Sequence, residues 1–283
     1  GMVHAENGLA TDYLQDKYLQ AGRDPKEVFV ATRPAILEAE AVNRAIAMAQ
    51  VAGCPLYIVH LTAREDIVVL KRARNKGYRV FGETCPQYLT LTNEEVFENG
   101  ALAKIGPPLR SEDDNQALWD ALVSGVVDTI ASDHAPKPKT RDDDFFEAAY
   151  GSPSTETMFP VVYDAGVNRG RITLTRLVQV MSENPARIFG LYPQKGTLQP
   201  GSDADLAIVD PTSSHTISQR TQHSHASYTL YEGRACLGKP IFSMQRGNVI
   251  LEDGKLHAAP GQGKFLRTDT ERGARDFFTT NKG

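Results

Sequence analysis

The chain has 283 residues, and its 35 acidic and 31 basic side chains give a formal net charge of −4. Its hydrophobic share of 41% and charged share of 23% are those of an ordinary globular protein and exclude a disordered or fibrous chain. The slight acidity disfavours nucleic acid or an anionic membrane as partner, and no apolar run approaches the roughly 18 residues of a spanning helix.

Strand-like and helix-like segments alternate through the first two thirds of the chain. Apolar residues recur at intervals of three and four from Ile36 to Ala52, which predicts a helix, and the β-rich run Leu56–His60 follows it. The same reasoning predicts helices over 63–76, 111–124 and 173–182, a short helix from Pro185, and strands over 79–83 and 126–132. Repeated strand–helix–strand order predicts an α/β domain with a parallel sheet over residues 1–194.

The pattern changes after Lys195 to short strands punctuated by glycines. These runs predict a small β domain over residues 195–261, with strands over 204–209, 226–231, 241–244 and 248–251. Residues 262–283 form a polar tail that carries one apolar patch, Phe277-Phe278.

Polar side chains stand where three of the predicted strands end. His4 follows the first run, His60 closes the second, and Asp133 follows the strand over 126–132. The carboxyl ends of parallel strands form one active face, so we expect these side chains to converge there. Two imidazoles and a carboxylate are a ligand set for Zn²⁺ that leaves a position for water. Each residue alone is equally explained as a structural cap of its strand.

Other reactive residues favour structural interpretations. Cys54, Cys85 and Cys236 have no paired spacing, which argues against disulfides and cysteine zinc sites and favours a reducing cytoplasm. The acidic run over 142–144 is typical of a solvated loop, and Cys85 beside a proline lacks a neighbouring base.

Several motifs, in their order along the chain, resemble the hydantoinase/dihydropyrimidinase branch of the cyclic amidohydrolase superfamily. They are Val3-His-Ala-Glu-Asn-Gly8, Gly82-Glu-Thr-Cys-Pro-Gln-Tyr-Leu89, Pro107-Pro-Leu-Arg110, Ser132-Asp-His-Ala-Pro136, Asn184-Pro-Ala-Arg-Ile-Phe-Gly-Leu191, Gly196-Thr-Leu-Gln-Pro-Gly-Ser-Asp-Ala-Asp-Leu206 and Tyr228-Thr-Leu-Tyr-Glu-Gly233. The resemblance implies the second half of a metal-dependent (β/α)8 TIM barrel, with strands five to eight, and a small β-sandwich domain.

The resemblance also implies a site. His4 at the end of strand five and His60 at the end of strand six would bind one metal ion. Asp133, at the end of strand eight, would bind a second ion and carry a proton from water to the leaving nitrogen. Backbone groups at Gly106 and Tyr150, where the branch usually has Ser and Asn, would hold the ring imide. The implied cofactor is two zinc ions, the substrate a small cyclic amide or imide, and the assembly a cytoplasmic homo-oligomer, dimer or tetramer, in which the tail contacts a neighbour.

Two features of that branch are missing from this sequence: the Asp-x-His-x-His of its first strand and the carboxylated lysine of its fourth. We therefore expect the chain to begin within strand five, to hold at most one zinc ion, and to be inactive alone. Its open wall is expected to be covered by self-association or partial disorder. The His-x-His at His223 and His225 lies past the predicted barrel and is expected to be a loop.

Three functions remain open at this point. The first is opening of a hydantoin or dihydropyrimidine ring by the full-length protein. The second is an allantoinase or dihydroorotase reaction, which a substrate panel separates from the first. The third is a non-catalytic, structural role in the same fold, which the presence of His4, His60 and Asp133 disfavours.

Overall fold

The computed structural model describes residues 1–280, and its first sheet is parallel, with strand order β1-β2-β3-β4. These strands are β1 (Met2–Val3), β2 (Leu56–Ile58), β3 (Val80–Thr84) and β4 (Thr129–Ile130). Strands adjacent in sequence are adjacent in space and run in one direction, so their carboxyl ends share one rim. Within the described residues, β1 and β4 each pair on one side only, which leaves two open edges.

Helices connect and cover these strands, as the alternating pattern predicts. They are α1 (Gly8–Gln20), α2 (Pro25–Ala31), α3 (Ala35–Ala52), α4 (Arg64–Asn75), α5 (Pro86–Thr90), α6 (Glu94–Asn99), α7 (Glu112–Val123), α8 (Thr155–Val162), α9 (Leu174–Val178) and α10 (Asn184–Ile188). The predicted helix over 173–182 divides, because a wide π-helical turn over 179–183 follows α9. Among residues 1–280 there is no helix with the length and apolarity needed to cross a bilayer.

Local sequence signals set the ends of the long helices. Gly53 ends α3 in the left-handed region at φ 64°, where glycine carries no Cβ penalty. The Ser111 side chain accepts from the Asp114 amide at the start of α7, and the Asp114 carboxylate accepts from the Ser111 amide in return. One stripe of α3, including Val42 and Ile46, is buried in the main hydrophobic core.

A glycine lets α4 approach β3 closely in this core. A Cβ on Gly82 would lie 2.5 Å from Leu70 Cδ2 and 2.9 Å from Leu61 Cδ1. Leu70 and Leu61 are fully buried, so neither can move away without displacing its own neighbours. The close packing of helix on strand therefore depends on the missing side chain.

We expect Gly82→Ala to destabilise the fold by about 1–3 kcal/mol, the usual range for overpacking a core. Urea unfolding of the variant beside the parent chain measures it. Gly8→Ala is the matched control, since a Cβ on Gly8 meets nothing within 4 Å. Equal midpoints for Gly82→Ala and the parent would contradict this account of the packing.

Two carboxyl groups, Glu38 of α3 and Asp66 of α4, are buried close to each other. The Asp66 side chain accepts from the Ala63 amide at 2.9 Å, while its Oδ1 atom has no hydrogen-bond partner among the described residues. Burial, followed by the nearby negative charge of Glu38, raises the pKa of Asp66 well above its usual value. Arg110 pairs with Glu38 at 2.7 Å and leaves Asp66 without a cation of its own.

This arrangement predicts a stability that falls as pH rises. Folded Asp66 keeps its proton at a pH where unfolded Asp66, with a pKa of about 3.9, has lost it. Its contribution is therefore complete below that value and is lost as pH rises through the raised folded pKa, by at most about 1.4 kcal/mol per pH unit. We expect Asp66→Asn, which imitates the protonated group, to flatten the fall in unfolding free energy as pH rises above about 4. Asp12→Asn, at an exposed position on α1, should leave the slope unchanged.

The second sheet is antiparallel, with strand order β5-β6-β7-β8. Its strands are β5 (Leu206–Thr216), β6 (Ala235–Gln245), β7 (Asn248–Glu252) and β8 (Lys255–Leu256). The predicted strand over 226–231 is wrong: this segment forms no strand. Its tyrosines instead point into the α/β part, where the Tyr228 hydroxyl donates to the Gly151 carbonyl at 3.1 Å and the Tyr231 hydroxyl lies 3.0 Å from Thr90 Oγ1. The β-rich composition of this segment therefore reflects tyrosines that are buried against the α/β part, not residues that pair in a sheet.

The tail contains a helix, α11 (Thr270–Thr280), that packs on the chain itself. Phe277 is 6% exposed, and the rings of Phe277 and Phe278 lie 5.4 Å and 4.7 Å from the ring of Phe81 in β3. These two rings therefore pack on β3, and contact of the tail with a neighbouring subunit stays a prediction. A cleft of about 610 Å³ opens between α11 and the starts of β1 and β2, at the end of the sheet opposite the rim.

Candidate active site

The rim of the parallel sheet carries the three residues predicted from the strand ends. His4 directly follows β1, while His60 lies two residues beyond β2 and Asp133 three residues beyond β4. His60 and Asp133 both have left-handed backbones, with φ 40° and 49°. Such conformations are uncommon outside glycine and persist where the surrounding structure enforces them, so the chain turns sharply at both positions.

Two imidazoles meet at this rim. His4 Nδ1 lies 3.0 Å from His60 Nε2, and the rings are edge to face with centroids 4.8 Å apart. Two nitrogens bound tetrahedrally to one zinc ion at ~2.0–2.1 Å stand about 3.3 Å apart, so this pair nearly has the spacing of two ligands. The other nitrogen of the His60 ring is buried without a partner in residues 1–280. The donor set and its spacing fit a divalent metal.

The two imidazoles have different electrostatic environments. Burial lowers the pKa of His60, while the charge of Asp133 opposes that shift. A hydrogen bond to Glu6 raises the pKa of His4, against a smaller effect of burial. A neutral His60 keeps the lone pair that metal binding requires.

Glu6 orients the His4 ring. Its Oε2 atom lies 3.1 Å from His4 Nε2, and Oε1 lies 4.0 Å from Arg33 Nε. Burial would raise the pKa of Glu6, but the hydrogen bond and charge of His4, with Arg33 and Arg110, lower it overall. A carboxylate that accepts from Nε2–H leaves the Nδ1 lone pair facing His60, and metal-binding histidines usually donate their second nitrogen to such a partner.

We expect Glu6→Gln to weaken metal binding by about 10–100-fold, because the amide does not select the His4 tautomer as a carboxylate does. Competition with a chromophoric zinc chelator measures the affinity. Glu40→Gln, at a half-exposed position on α3, is the control. Equal affinities in Glu6→Gln and Glu40→Gln would show that Glu6 does not orient the ligand.

A second carboxylate supports His60. Glu83 in β3 accepts from the His60 amide at 3.3 Å and from the Tyr57 hydroxyl at 2.6 Å. The Tyr57 hydroxyl also lies 2.6 Å from Thr129 Oγ1, so one hydrogen-bonded network joins β2, β3 and β4. Burial raises the pKa of both Glu83 and Tyr57. This network holds the sharp turn at His60 in place.

Asp133 stands exposed at the end of β4 without a hydrogen bond or ion pair in the described part of the chain. Its charge acts on both His4 and His60, yet no three His, Cys, Asp or Glu side chains in residues 1–280 are placed to surround a metal ion. The structure thus brings the two histidines together as a pair, and Asp133 shares their rim without completing a ligand triad.

His134 fixes the loop that follows. Its Nδ1 atom accepts from the amides of Ser154 and Thr155 at 3.0 and 3.2 Å, at the start of α8. The Ser154 hydroxyl donates to the Ser132 carbonyl at 2.6 Å. These bonds join the two ends of the long segment between β4 and α8.

Gly106 and Tyr150, predicted from the resemblance to contact substrate, lie side by side. A Cβ on Gly106 would be 3.0 Å from Tyr150 Cδ1 and 3.9 Å from Glu6 Oε2. The Tyr150 hydroxyl accepts from Arg33 Nη2 at 2.8 Å. The pair is therefore connected to the His4 ring through Arg33 and Glu6.

The remaining reactive residues are engaged in other contacts. His223 lies in an exposed loop, 2.8 Å from Glu156. Asp143 accepts from Thr140, and Asp144 accepts from the Phe146 and Glu147 amides, as turn-forming aspartates do. Burial raises the pKa of the Cys85 thiol well above its usual value, which suppresses its nucleophilicity.

Comparison with known proteins agrees with the sequence motifs. A sequence family described as the amidohydrolase family matches residues 3–251. A D-hydantoinase of Ralstonia pickettii is 41% identical over 276 residues, which cover 94% of this chain and 60% of that protein. An allantoinase of Rubrobacter xylanophilus is 36% identical over 276 residues, covering 97% of this chain and 60% of the relative.

A solved structure shares the fold. The crystal structure of dihydropyrimidinase from Brevibacillus agri superposes with a TM-score of 0.90 at 36% identity, over 95% of this chain and 60% of that one. The predicted fold class, four parallel strands of a partial barrel with a separate β unit, is confirmed. The chain spans about 60% of the length of the relatives it matches.

Proposed function

The chain belongs to the amidohydrolase family, and from that premise we propose that the whole protein hydrolyses a carbon–nitrogen bond of a cyclic amide, opening a hydantoin or dihydropyrimidine ring. The observation that carries the proposal is the 3.0 Å approach of His4 Nδ1 to His60 Nε2 on the rim of a parallel sheet. It is supported by identities of 36–41% to a D-hydantoinase and an allantoinase.

The proposed ligands are His4 and His60 for one ion, with Asp133 for a second ion whose other ligands lie outside this sequence. Zinc is the proposed metal, since imidazole suits it and the nitrogen spacing is close to that of two zinc ligands. When bound, the metal lowers the pKa of water and polarises the ring carbonyl.

The chain's own residues then have distinct roles. Glu6 holds the His4 ring and Glu83 holds the His60 backbone, so His4 Nδ1 and His60 Nε2 are kept 3.0 Å apart. The carboxylate of Asp133 is unpaired within the described residues, and its proposed role is to take a proton from water and return it to the leaving nitrogen. Backbone groups at Gly106 and Tyr150 hold the ring imide.

We propose that this chain alone, with residues 1–194 as its barrel part, holds at most one ion and does not catalyse. No three candidate ligand side chains converge in residues 1–280, and β1 and β4 each have an open edge. For this chain alone we propose that self-association covers the two open edges. For the whole protein we propose a homo-oligomer, either dimer or tetramer. Three cysteines without disulfides fit a reducing cytoplasm.

A panel of hydantoin, dihydrouracil, allantoin and dihydroorotate, tested on the product of the whole reading frame, examines the proposal. We expect ring opening of hydantoin or dihydrouracil, together with zinc in metal analysis. Preference for allantoin or dihydroorotate would show that the protein acts on one of these rings instead of hydantoin or dihydrouracil. Metal-free protein that forms a defined oligomer and opens no ring would favour the structural role instead.

A further inference from the structure

Gly106 lies so close to the Tyr150 ring that a side chain at position 106 would collide with it. An added Cβ on Gly106 would lie 3.0 and 3.1 Å from two carbons of the Tyr150 ring, closer than side chains normally pack. The backbone of Gly106 is outside the left-handed region, so a larger residue is conformationally acceptable there. The Tyr150 ring is therefore what excludes a side chain at position 106.

Contacts on one side hold the Tyr150 ring in place. Arg33, whose side chain is only 9% exposed, donates to the Tyr150 hydroxyl at 2.8 Å. Lys104 Nζ lies 4.5 Å from the ring centroid, within cation–π range, and the Phe29 ring lies 6.2 Å away. Tyr150 is nevertheless 44% exposed, so part of the ring stays open.

The hydroxyl retains an unused donor. It accepts from Arg33, and its own proton has no acceptor within residues 1–280. A hydroxyl that accepts from a guanidinium is polarised and becomes a stronger donor. Arg33 also lies 4.0 Å from Glu6, the carboxylate that orients His4, so this donor belongs to the same connected cluster as the imidazole pair.

We propose that Gly106 and Tyr150 act as one specificity-determining unit, an inference that rests on the proposed ring-opening function. The tyrosine ring fills the space beside Gly106 and limits the size of the group attached to the substrate ring. Its hydroxyl donates to an oxygen on that group. The preferred substrates are cyclic amides whose substituent is small and carries a carbonyl or carboxylate oxygen, and bulky apolar substituents are excluded.

A substrate pair tests the assignment in the product of the whole reading frame. 5-Carboxymethylhydantoin offers a small acceptor, and 5-benzylhydantoin offers a bulky apolar group. We expect Tyr150→Ala to raise the benzyl-to-carboxymethyl ratio of kcat/KM at least about tenfold, the scale of pocket discrimination. Tyr150→Phe should lower kcat/KM for the carboxymethyl substrate, while benzyl stays poor. Unchanged ratios in both variants would overturn the proposal.

A double-mutant cycle on this chain tests the shared space without activity. Gly106→Ala should lower the urea midpoint when Tyr150 is present and have less effect in the Gly106→Ala/Tyr150→Ala double variant. Gly263→Ala is the control, because a Cβ there meets nothing within 4 Å. Additive effects would contradict the coupling.

The two experiments separate the two claims. A parent protein that opens none of the tested rings contradicts the proposed function and the substrate assignment with it, while the cycle still reports on the shared space. A protein that opens rings with the same ratio in every variant contradicts the specificity unit alone.

Discussion

Replacing His60 with alanine is expected to lower the zinc affinity of this chain more than about 100-fold, which exceeds the loss of about 10–100-fold expected when a group that only orients a ligand is removed. The reason is geometric: His4 Nδ1 and His60 Nε2 lie 3.0 Å apart, and no third side chain of a ligand type joins them in residues 1–280. Without His60, a single exposed imidazole remains. Competition with a chromophoric zinc chelator measures the loss.

Two further variants make that result interpretable. His60 has φ 40°, which alanine tolerates poorly, so His60→Asn is the companion variant because asparagine adopts this conformation more readily. His223→Ala removes an exposed histidine that pairs with Glu156 and not with His4 or His60, and it should bind zinc as the parent does. A loss in His223→Ala as large as that in His60→Ala would place the metal elsewhere.

Replacing Asp133 with asparagine is expected to lower kcat/KM of the whole protein by about 10²–10⁴, the usual contribution of a general acid–base group. Asparagine has nearly the same shape but neither takes up nor returns a proton near neutral pH. Asp133 is exposed and makes no hydrogen bond or ion pair within the described residues, so the urea midpoint should stay unchanged. The loss should therefore appear in activity and not in folding.

Asp142→Asn is the matched control, since Asp142 is equally exposed and lies in the loop that follows Asp133. We expect its kinetics to equal those of the parent protein. If Asp133→Asn kept more than half of the parent activity, the proton-transfer role would have to belong to another group.

The helices of the α/β part are predicted well from the sequence because the residues that start and end each of them are local signals. The helix over 36–52 is found as α3 at 35–52, and the helices over 63–76 and 111–124 are found within one residue at each end. Strand ends are local signals as well, and this is why His4 and His60 could be expected to meet. The helix α1 has no such signal, since its apolar residues Leu9 and Tyr13 are exposed and form no buried stripe.

The supporting residues of the site were not predictable in the same way. Glu6 lies in the motif Val3–Gly8, two residues after His4, and that spacing alone does not assign it to the His4 ring. Arg33 lies between α2 and α3, and it meets Tyr150 across 117 positions of sequence. Glu83 reads as an ordinary strand residue. Its side-chain partners, the Tyr57 hydroxyl and the His60 amide, belong to β2 and the turn that follows it, so only the folded sheet reveals its role.

The bonds at both ends of residues 135–153 hold that stretch against the rest of the chain. His134 accepts from the Ser154 and Thr155 amides at the start of α8, and Ala135 donates to the Ser152 carbonyl at 3.0 Å. The middle is fastened as well, because Lys104 donates to the Phe146 and Ala148 carbonyls and Arg33 donates to the Tyr150 hydroxyl. A change of length in this stretch would therefore be transmitted through Arg33 and Glu6 to the His4 ring.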